Sequence, residues 1–428
     1  MSIPASSSSH KFQFSSLWEP AKIDSQTGKS LTIPLFNLKS PYGRNFHLSW
    51  IAFFVAFLSW FAFPPLLTLS IKSDLRLTAE QVANSNIIGL LGTFVVRLVA
   101  GPMVDKFGPR LVMAGILIAG TIPTGLAAIV NNVAGFYGGS FVPCEAWTSL
   151  FFHSSIVGMA NAIVAGLGNS GGGATYAVMV ALYHQLHRNL SQHLAWRVAF
   201  LVVPVPALLL VALMVVIFGT DHPSGKWSTT SQSSAHLLRS ALLLQPVTYI
   251  PCIAYLTTFG FELAVDSTLA TTLITPHPEL GQLNAGYLAS VYGLMNIFTR
   301  PLGGAAADWL YRRHGTIQGL FSVALGRYLQ INRAPRLNIM MGLVVLTSLF
   351  NGMANGANFA YVPNVNPDRT GAMNGLVGAF GNLGGVVYTL IFRCACFLGR
   401  ISTEKWNSLD YFGDFGGSGE RCYGYRCH

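Results

Sequence analysis

Long apolar runs, separated by short polar stretches, dominate the chain. A helix of about 20 mostly apolar residues spans the hydrocarbon core of a bilayer. The pattern predicts eleven membrane spans, numbered in chain order: 47–70, 80–105, 111–130, 133–152, 155–183, 196–219, 247–273, 283–308, 315–331, 337–362 and 371–392. A β-barrel would show short alternating segments instead, so we predict an all-α polytopic membrane protein.

Polar stretches divide this pattern into two helical halves. We predict an N-terminal arm (1–46), a six-span half (47–219), a central loop (220–246), a second half (247–392) and a polar tail (393–428). The glycine-rich end of the tail cannot span a bilayer, so we expect a twelfth span to be missing. Spans four and nine are shorter or more polar than the others.

Composition supports a membrane protein and places its charges. The chain is 51% hydrophobic and 10% charged, against about 25% charged residues in soluble domains. Its net charge of +10 fits basic loops on the cytoplasmic side better than nucleic-acid binding. The basic residues of these loops are Lys106, Arg110, Lys226, Arg239, Arg312 and Arg313. They predict that the N-terminus and the central loop lie in the cytoplasm. We expect the protein to be in the plasma membrane.

A glycine-and-asparagine pattern occurs in span five and again in span eleven. Glycine costs about 1 kcal/mol relative to alanine in a helix, but its missing Cβ lets another backbone or a small ligand approach. We therefore predict that two structural halves meet at a central site. The glycines concerned are Gly166, Gly168, Gly171, Gly172 and Gly173, then Gly381, Gly384 and Gly385.

Two arginines interrupt apolar spans at matching positions. Arg97 precedes Asp105, and Arg300 precedes Asp308, by the same eight residues. This spacing puts each arginine about 12 Å inside its cytoplasmic loop, near the bilayer midplane. Burying an arginine side chain there costs at least about 2.5–3.5 kcal/mol. Without a function, the side chain would either snorkel to the membrane interface or pair with a buried carboxylate for structural reasons alone. We favour a shared anion site, because the guanidinium fork donates two parallel hydrogen bonds to a planar oxyanion.

Four further polar residues lie within the apolar spans. Asn169 and Asn382 must bond either the backbone of another helix or a ligand, because an unpaired amide is costly there. Glu262 and Asp266 share one face of span seven. They could relay protons, balance the arginines, or form a helix-end pair near the outer surface.

The loop after span two carries a recognisable motif. Gly101, Asp105, Gly108 and Arg110 fit the pattern G-x-x-x-D-x-x-G-x-R of the major facilitator superfamily. A decayed copy, Gly304 to Asp308 with Arg312 and Arg313, follows span eight. The two glycine-asparagine stretches resemble the paired nitrate signature of the nitrate/nitrite porter family, with the fungal high-affinity transporters most similar. The resemblance covers roughly residues 40–393.

This resemblance implies proton-coupled uptake of nitrate, and also of nitrite. The paired arginines and glycine-rich helices lead us to expect alternating access, in which the two halves rock about a site near the midplane. Arg97 and Arg300 match the family's substrate-binding arginines, and Asn169 and Asn382 match its signature asparagines. Phe57 matches an aromatic residue that packs on the anion. The implied partners are nitrate, nitrite, protons and lipid, without a cofactor or metal; the need for an accessory protein stays open.

Two alternatives remain at this stage. The protein could be a facilitator for another small anion or organic acid, since a planar site does not select nitrate alone. It could also be a non-transporting nitrate receptor or an inactive paralogue, as the missing twelfth span suggests. An enzyme is not expected, because the sequence carries no nucleotide loop, metal-ligand set or nucleophile elbow.

Overall fold

The computed structural model describes residues 18–25, 28–38, 41–130, 157–221, 246–305, 335–365 and 370–410, with a few positions between 324 and 331. Spans four and nine, Asp308 and the end of the tail lie outside these ranges. The side chains of Asp105 and of residues 394–410 are also outside the description. Predictions that depend on these residues, including the missing twelfth span, therefore stay predictions.

The described spans are helical, as predicted. Short helices at Ser70–Asp74, Ala127–Ile129 and Pro278–Leu280 lie at their ends. The spans consist of Tyr42–Trp60 with Phe63–Leu67 (one), Ala79–Phe107 (two), Pro109–Leu126 (three), Val157–His187 (five), Gln192–Val202 with Pro204–Phe218 (six), Pro246–Ile274 (seven), Gly281–Leu294 with Asn296–Ala305 (eight), Leu337–Val365 (ten) and Thr370–Asp410 (eleven).

Local sequence explains several helix ends. Thr78 and Gln81 form a capping box at the start of span two, which satisfies two otherwise unpaired backbone N–H groups. Gly108 ends the same span with a φ of 85°, a conformation that favours glycine. Pro204 begins the second helix of span six, since proline suits a first helical turn but not a helix interior.

Seven helices among the described residues are long and apolar enough to cross a membrane. Spans five and eight are not among them, because glycines, asparagines and an arginine lower their hydropathy. Span six shows the opposite character: Leu210, Leu213 and Ile217 are exposed, whereas Leu208 and Val215 are buried. The exposed apolar face suits lipid, so this helix lies at the periphery.

The two halves meet along two crosswise helix pairs. Span two of the first half packs against span eleven of the second, and span five packs against span eight. Spans one and seven, the first spans of each half, touch at Phe57 and Phe259. The most polar spans therefore form the interior between the halves.

The structure extends two predicted boundaries. Span one begins at Tyr42 rather than 47, because Tyr42 and Phe46 are buried against the helical core. Part of the arm before it is folded: Ile23 pairs with Ser30, and Ile33 joins the core. Span eleven continues past its predicted end at 392 to Asp410.

Candidate functional site

The two predicted arginines lie on the same aromatic ring. Arg97 of span two and Arg300 of span eight are both buried. The Cζ atom of each lies 5.5 Å from the ring centroid of Phe259 in span seven. A guanidinium at this distance from a ring is attracted to its π-system. The fold thus brings together two charges that lie far apart in the chain.

Aromatic side chains surround this charged centre. Tyr255 stacks on Phe259 with centroids 4.5 Å apart, and Phe359 lies 5.9 Å from the Cζ of Arg300. Phe57 lies 6.4 Å from Phe259, so the predicted aromatic residue borders the site through a second ring. Sequence reasoning missed Phe259, although Phe57 and Phe259 occupy equivalent positions in spans one and seven.

The Arg300 guanidinium forms a buried ion pair with Glu262. Its Nη2 lies 3.0 and 2.8 Å from the two carboxylate oxygens, and its Nε donates to Oδ1 of Asn296 at 2.8 Å. Glu262 lies near the middle of span seven and is buried, so it does not belong to a helix-end pair. Of the three predicted roles, the geometry of Glu262 agrees with balancing the charge of Arg300.

Three asparagine amides also donate to the Glu262 carboxylate. Asn296 donates to Oε1 at 2.9 Å, and Asn351 and Asn355 donate to Oε2 at 3.2 and 2.6 Å. Sequence reasoning missed these partners. Their signal was a set of asparagines at helical spacing inside apolar spans eight and ten.

This arrangement changes the expected role of the Arg300 fork. Because Nε and Nη2 are already bonded to Asn296 and Glu262, the fork cannot donate two parallel bonds from that edge to an anion. Nη1 is buried and makes no hydrogen bond that the described residues supply. It is the nitrogen through which Arg300 could bind an anion.

Asp266 has a different environment from Glu262, one helical turn away. Its backbone carbonyl accepts a hydrogen bond from the Tyr176 hydroxyl of span five, across the two halves. Its carboxyl group is buried, and within the described residues it makes no hydrogen bond or ion pair. The adjacent Ser267 lines a cavity between spans one, two and seven, together with Trp60, Ser85, Asn86, Leu90 and Leu263.

The two signature asparagines are buried. Asn169 donates to the carbonyl of Ala165 in its own helix at 2.7 Å, and its Oδ1 has no partner in the described part of the chain. The same holds for both amide atoms of Asn382. Neither residue bonds another helix here, and an unsatisfied buried amide costs about 1–3 kcal/mol. Of these atoms, Nδ2 of Asn382 can donate to an anion, whereas the two Oδ1 atoms can only accept.

One face of each glycine helix packs against the first span of its own half. A Cβ on Gly168 would lie 2.1 Å from the Phe53 ring, and one on Gly171 would lie 2.2 Å from the Phe54 carbonyl oxygen. In span eleven, Gly381 meets Tyr255 and Phe259 at 2.7 Å, and Gly384 meets the Leu256 carbonyl at 2.0 Å. Only glycine fits at such distances.

The opposite face packs against the arginine helix of the other half. A Cβ on Gly166 would lie 2.6 Å from the Asn296 carbonyl, and one on Gly173 would lie 2.4 Å from the Leu294 nitrogen. In span eleven, Gly385 faces Leu90 at 3.0 Å, and Gly378 faces Arg97 Nη1 at 2.3 Å. Each signature helix therefore lies against the arginine helix of the opposite half.

The motif after span two lies apart from the arginines. Arg110 donates its backbone N–H to Asp221 at 3.0 Å, and its Nε lies 3.2 Å from the same carboxylate. This contact joins span three to the end of span six. Gly101 approaches Gly375 of span eleven, where a Cβ would lie 3.1 Å from the Gly101 Cα.

Comparison with known proteins identifies the class. Residues 49–389 match the sequence model of the Major Facilitator Superfamily, so the chain belongs to that superfamily. The fold is also that of a bacterial homologue of the human lysosomal transporter Spinster in an inward-facing, occupied conformation. The TM-score is 0.59 at 14% identity, over 86% of this chain and 84% of that one.

The particular family follows from two relatives. A high affinity nitrate transporter 2.5 from Arabidopsis thaliana is 34% identical over 85% of this chain and 76% of its own length. The nitrate/nitrite transporter NrtP of Nostoc punctiforme is 27% identical over 84% and 88%. The chain belongs to the nitrate/nitrite porter family, and the predicted family and fold class are confirmed.

Proposed function

We propose that the protein imports nitrate, and also nitrite, across the plasma membrane by proton-coupled symport, with its N-terminus and central loop in the cytoplasm. One observation carries this proposal: arginines from opposite halves, Arg97 and Arg300, face the same buried ring. Relatives named as nitrate transporters support the choice of anion.

The anion binds between the two guanidinium groups. Nη1 of Arg300 and the Arg97 guanidinium supply donors, and Phe57 and Phe259 supply apolar walls. The Nδ2 group of Asn382 adds a donor from the second half, and the second N–H of the Asn169 amide, beside the one that bonds Ala165, adds one from the first. A small planar anion fits such a site because it needs few donors and can stack on a ring.

Charge balance explains why a proton accompanies the anion. Among the site residues described, Arg97 and Arg300 carry two positive charges, and Glu262 and Asp266 can carry two negative charges. Nitrate would add a further negative charge to a buried site. Protonation of Asp266 removes that excess, because Asp266 pairs with no cation among the described residues, whereas Glu262 is bonded to Arg300 and three amides.

The membrane potential adds a second reason for symport. Moving one negative charge inward against an inside-negative potential costs about 2.3 kcal/mol per 100 mV. One proton cancels this cost, and a second makes the voltage favourable.

Alternating access uses the contact between the halves. The glycine faces of spans five and eleven let helices from opposite halves approach closely around the arginines. Polar contacts join the predicted outer ends: Gln282 accepts from the Ser70 N–H and hydroxyl at 2.9 and 2.8 Å, and Arg393 pairs with Glu80. Such contacts can separate without exposing an apolar core, so the halves can rock apart there.

The test measures uptake of isotope-labelled nitrate in cells that lack their own nitrate transport. We expect saturable uptake that rises with the inward proton gradient and is lost with Arg97→Ala and Arg300→Ala at equal surface expression. Stronger competition by formate, chlorate or phosphate than by nitrite would favour the facilitator alternative. Nitrate binding without flux would favour a receptor.

The two carboxylates can be separated by a matched pair of variants. We expect Asp266→Asn to remove the dependence of uptake on the pH gradient while nitrate-for-nitrate exchange continues. Glu262→Gln should instead weaken nitrate binding, because it disturbs Arg300. If Asp266→Asn keeps a normal response to the pH gradient, the assignment of the proton to Asp266 is wrong.

A further inference from the structure

Span ten carries a repeated Asn-Gly pair, Asn351-Gly352 and Asn355-Gly356, one helical turn apart. Both asparagines donate to the same carboxylate oxygen, Oε2 of Glu262, at 3.2 and 2.6 Å. All of these bonds are buried. The asparagines thus reach span seven from span ten, at the residue that pairs with Arg300.

The two glycines place span eight directly against the same face. A Cβ on Gly352 would lie 1.9 Å from the Thr299 hydroxyl oxygen. A Cβ on Gly356 would lie 2.0 Å from the carbonyl oxygen of Arg300. Each pair therefore combines a donor for Glu262 with a close contact to the helix that carries Arg300.

We propose that these two Asn-Gly pairs, the span-ten clamp, position Arg300 for the anion by fixing the carboxylate of Glu262. Asn351 and Asn355 are then positioning residues for transport. This inference rests on the proposed function only where it refers to nitrate. The placement of Arg300 by the clamp is a property of the protein without any anion.

The chemistry of the clamp suits this task. The side chain of Glu262 has three rotatable bonds, so one ion pair to Arg300 does not fix the plane of its carboxylate. Amide donors from a second helix fix that plane without adding a charge. With Nε and Nη2 of Arg300 bonded to Asn296 and Glu262, the direction of Nη1 follows from the direction of the carboxylate.

The test is a charge exchange between two bonded partners, Glu262 and Asn355, whose side-chain atoms lie 2.6 Å apart. Glu262→Gln removes the carboxylate, and Asn355→Asp places a second carboxylate against the first. We expect each single variant to raise the KM for nitrate at least about tenfold. The double variant restores one carboxylate and one amide in exchanged positions, so most of that loss should be recovered.

Asn358 provides a matched control on the same helix. It is equally buried, but it donates to the Pro251 carbonyl at 3.1 Å and does not touch Glu262. We expect Asn358→Ala to leave the KM within about twofold of the unchanged protein, while Asn355→Ala raises it about tenfold. An equal rise in both variants would show a purely structural role for Asn355 and would overturn the proposal.

A second readout separates this inference from the proposed function. The unfolding temperature of purified protein, without any anion, should fall for each single exchange variant and recover in the double variant. Recovery of the unfolding temperature in the double variant supports the clamp, whatever the uptake assay shows. If the unchanged protein takes up no nitrate, only the proposed function fails. A double variant no more stable than its worse single variant would refute the clamp.

Discussion

The two site arginines occupy equivalent positions in the two halves but have different surroundings. Arg300 is bonded to Glu262 and Asn296, and the span-ten clamp holds that carboxylate. Arg97 lies on the Phe259 ring and against the backbone of Gly378. A duplicated scaffold has thus kept the charge in both halves while changing what surrounds it.

One position in the first spans accounts for much of this difference. Phe57 and Phe259 are equivalent, and one turn further on the same offset relates Trp60 to Glu262. The Trp60 ring packs on Phe57 with centroids 5.2 Å apart. The first half therefore has an indole where the second has a carboxylate, so the comparison predicts that the arginines differ in what they contribute to stability.

The largest expected effect comes from removing Arg300. Arg300→Ala leaves Glu262 as a buried charge without its cation, which costs about 3–5 kcal/mol of unfolding free energy. The double variant Glu262→Ala with Arg300→Ala should recover most of this stability but no nitrate uptake. The check is denaturant unfolding of purified protein, combined with uptake in cells.

Arg97→Ala is the matched variant in the other half. We expect loss of uptake with a smaller loss of stability than Arg300→Ala, because no carboxylate equivalent to Glu262 is present in span one. An equal loss of stability in the two variants would contradict the proposed asymmetry between the halves.

The next effect tests how glycine positions Arg97. Gly378→Ala would put a Cβ 2.3 Å from Arg97 Nη1, so the guanidinium must move away from its place on Phe259. Overpacking of this kind costs about 1–3 kcal/mol, and we expect the KM for nitrate to rise about tenfold. Gly172→Ala is the control, since its Cβ would meet Phe61 at an ordinary 3.4 Å. Equal effects of the two substitutions would show that crowding near Arg97 is not the cause.

The sequence contained the elements of this site but not their partners. Apolar runs predicted the described spans, and constant offsets predicted the paired arginines and the glycine helices. Hydropathy could not show that Glu262 bonds Arg300, Asn351 and Asn355, because these contacts join spans seven, eight and ten. Long-range contacts of this kind depend on how helices rotate about their axes, which a single sequence does not specify.

The same reasoning explains why Phe259 was missed while Phe57 was found. Both are phenylalanines in apolar spans, where aromatic residues are common and carry no distinct signal. The resemblance to the family selected Phe57, and only the fold places the Phe259 ring 5.5 Å from both arginines.

An effect of comparable size concerns the loops after the first span of each half. In the first half, Asp74 accepts hydrogen bonds from Trp196, Arg197 and His193. Burial acts to raise the Asp74 pKa, but these hydrogen bonds outweigh it and hold the pKa below its ordinary value. The equivalent residue in the second half is His277, which contacts the exposed Glu279.

We expect Asp74→Asn to cost about 1.5–3 kcal/mol of stability at neutral pH, since its bonds involve charged groups. Because the pKa of Asp74 is lower in the folded protein than in the unfolded chain, its charge stabilises the folded protein above the unfolded pKa of about 3.9. This stabilisation is lost as the pH falls through the folded-state pKa. The difference between the unchanged protein and Asp74→Asn should therefore shrink in strongly acidic buffer. A difference that stays constant down to such pH would show that the charge of Asp74 is not the cause, and Glu279→Gln should change little at any pH.

The smallest effect lies at the predicted outer contact between the halves, where Arg393 bonds Glu80 and, at 2.9 Å, Asn84. The Glu80 side chain is largely exposed and that of Arg393 is partly exposed, so the pair contributes at most about 1 kcal/mol. Because the pair joins span two to span eleven, Glu80→Gln should favour separation of the outer ends. The KM for outside nitrate should change by no more than about fivefold.

Salt provides the control for this ion pair. At about 1 M salt the Debye length is about 3 Å, so the KM of the unchanged protein should approach that of the variant. If Glu80→Gln responds to salt as strongly as the unchanged protein, this ion pair does not contribute to closing the outer side.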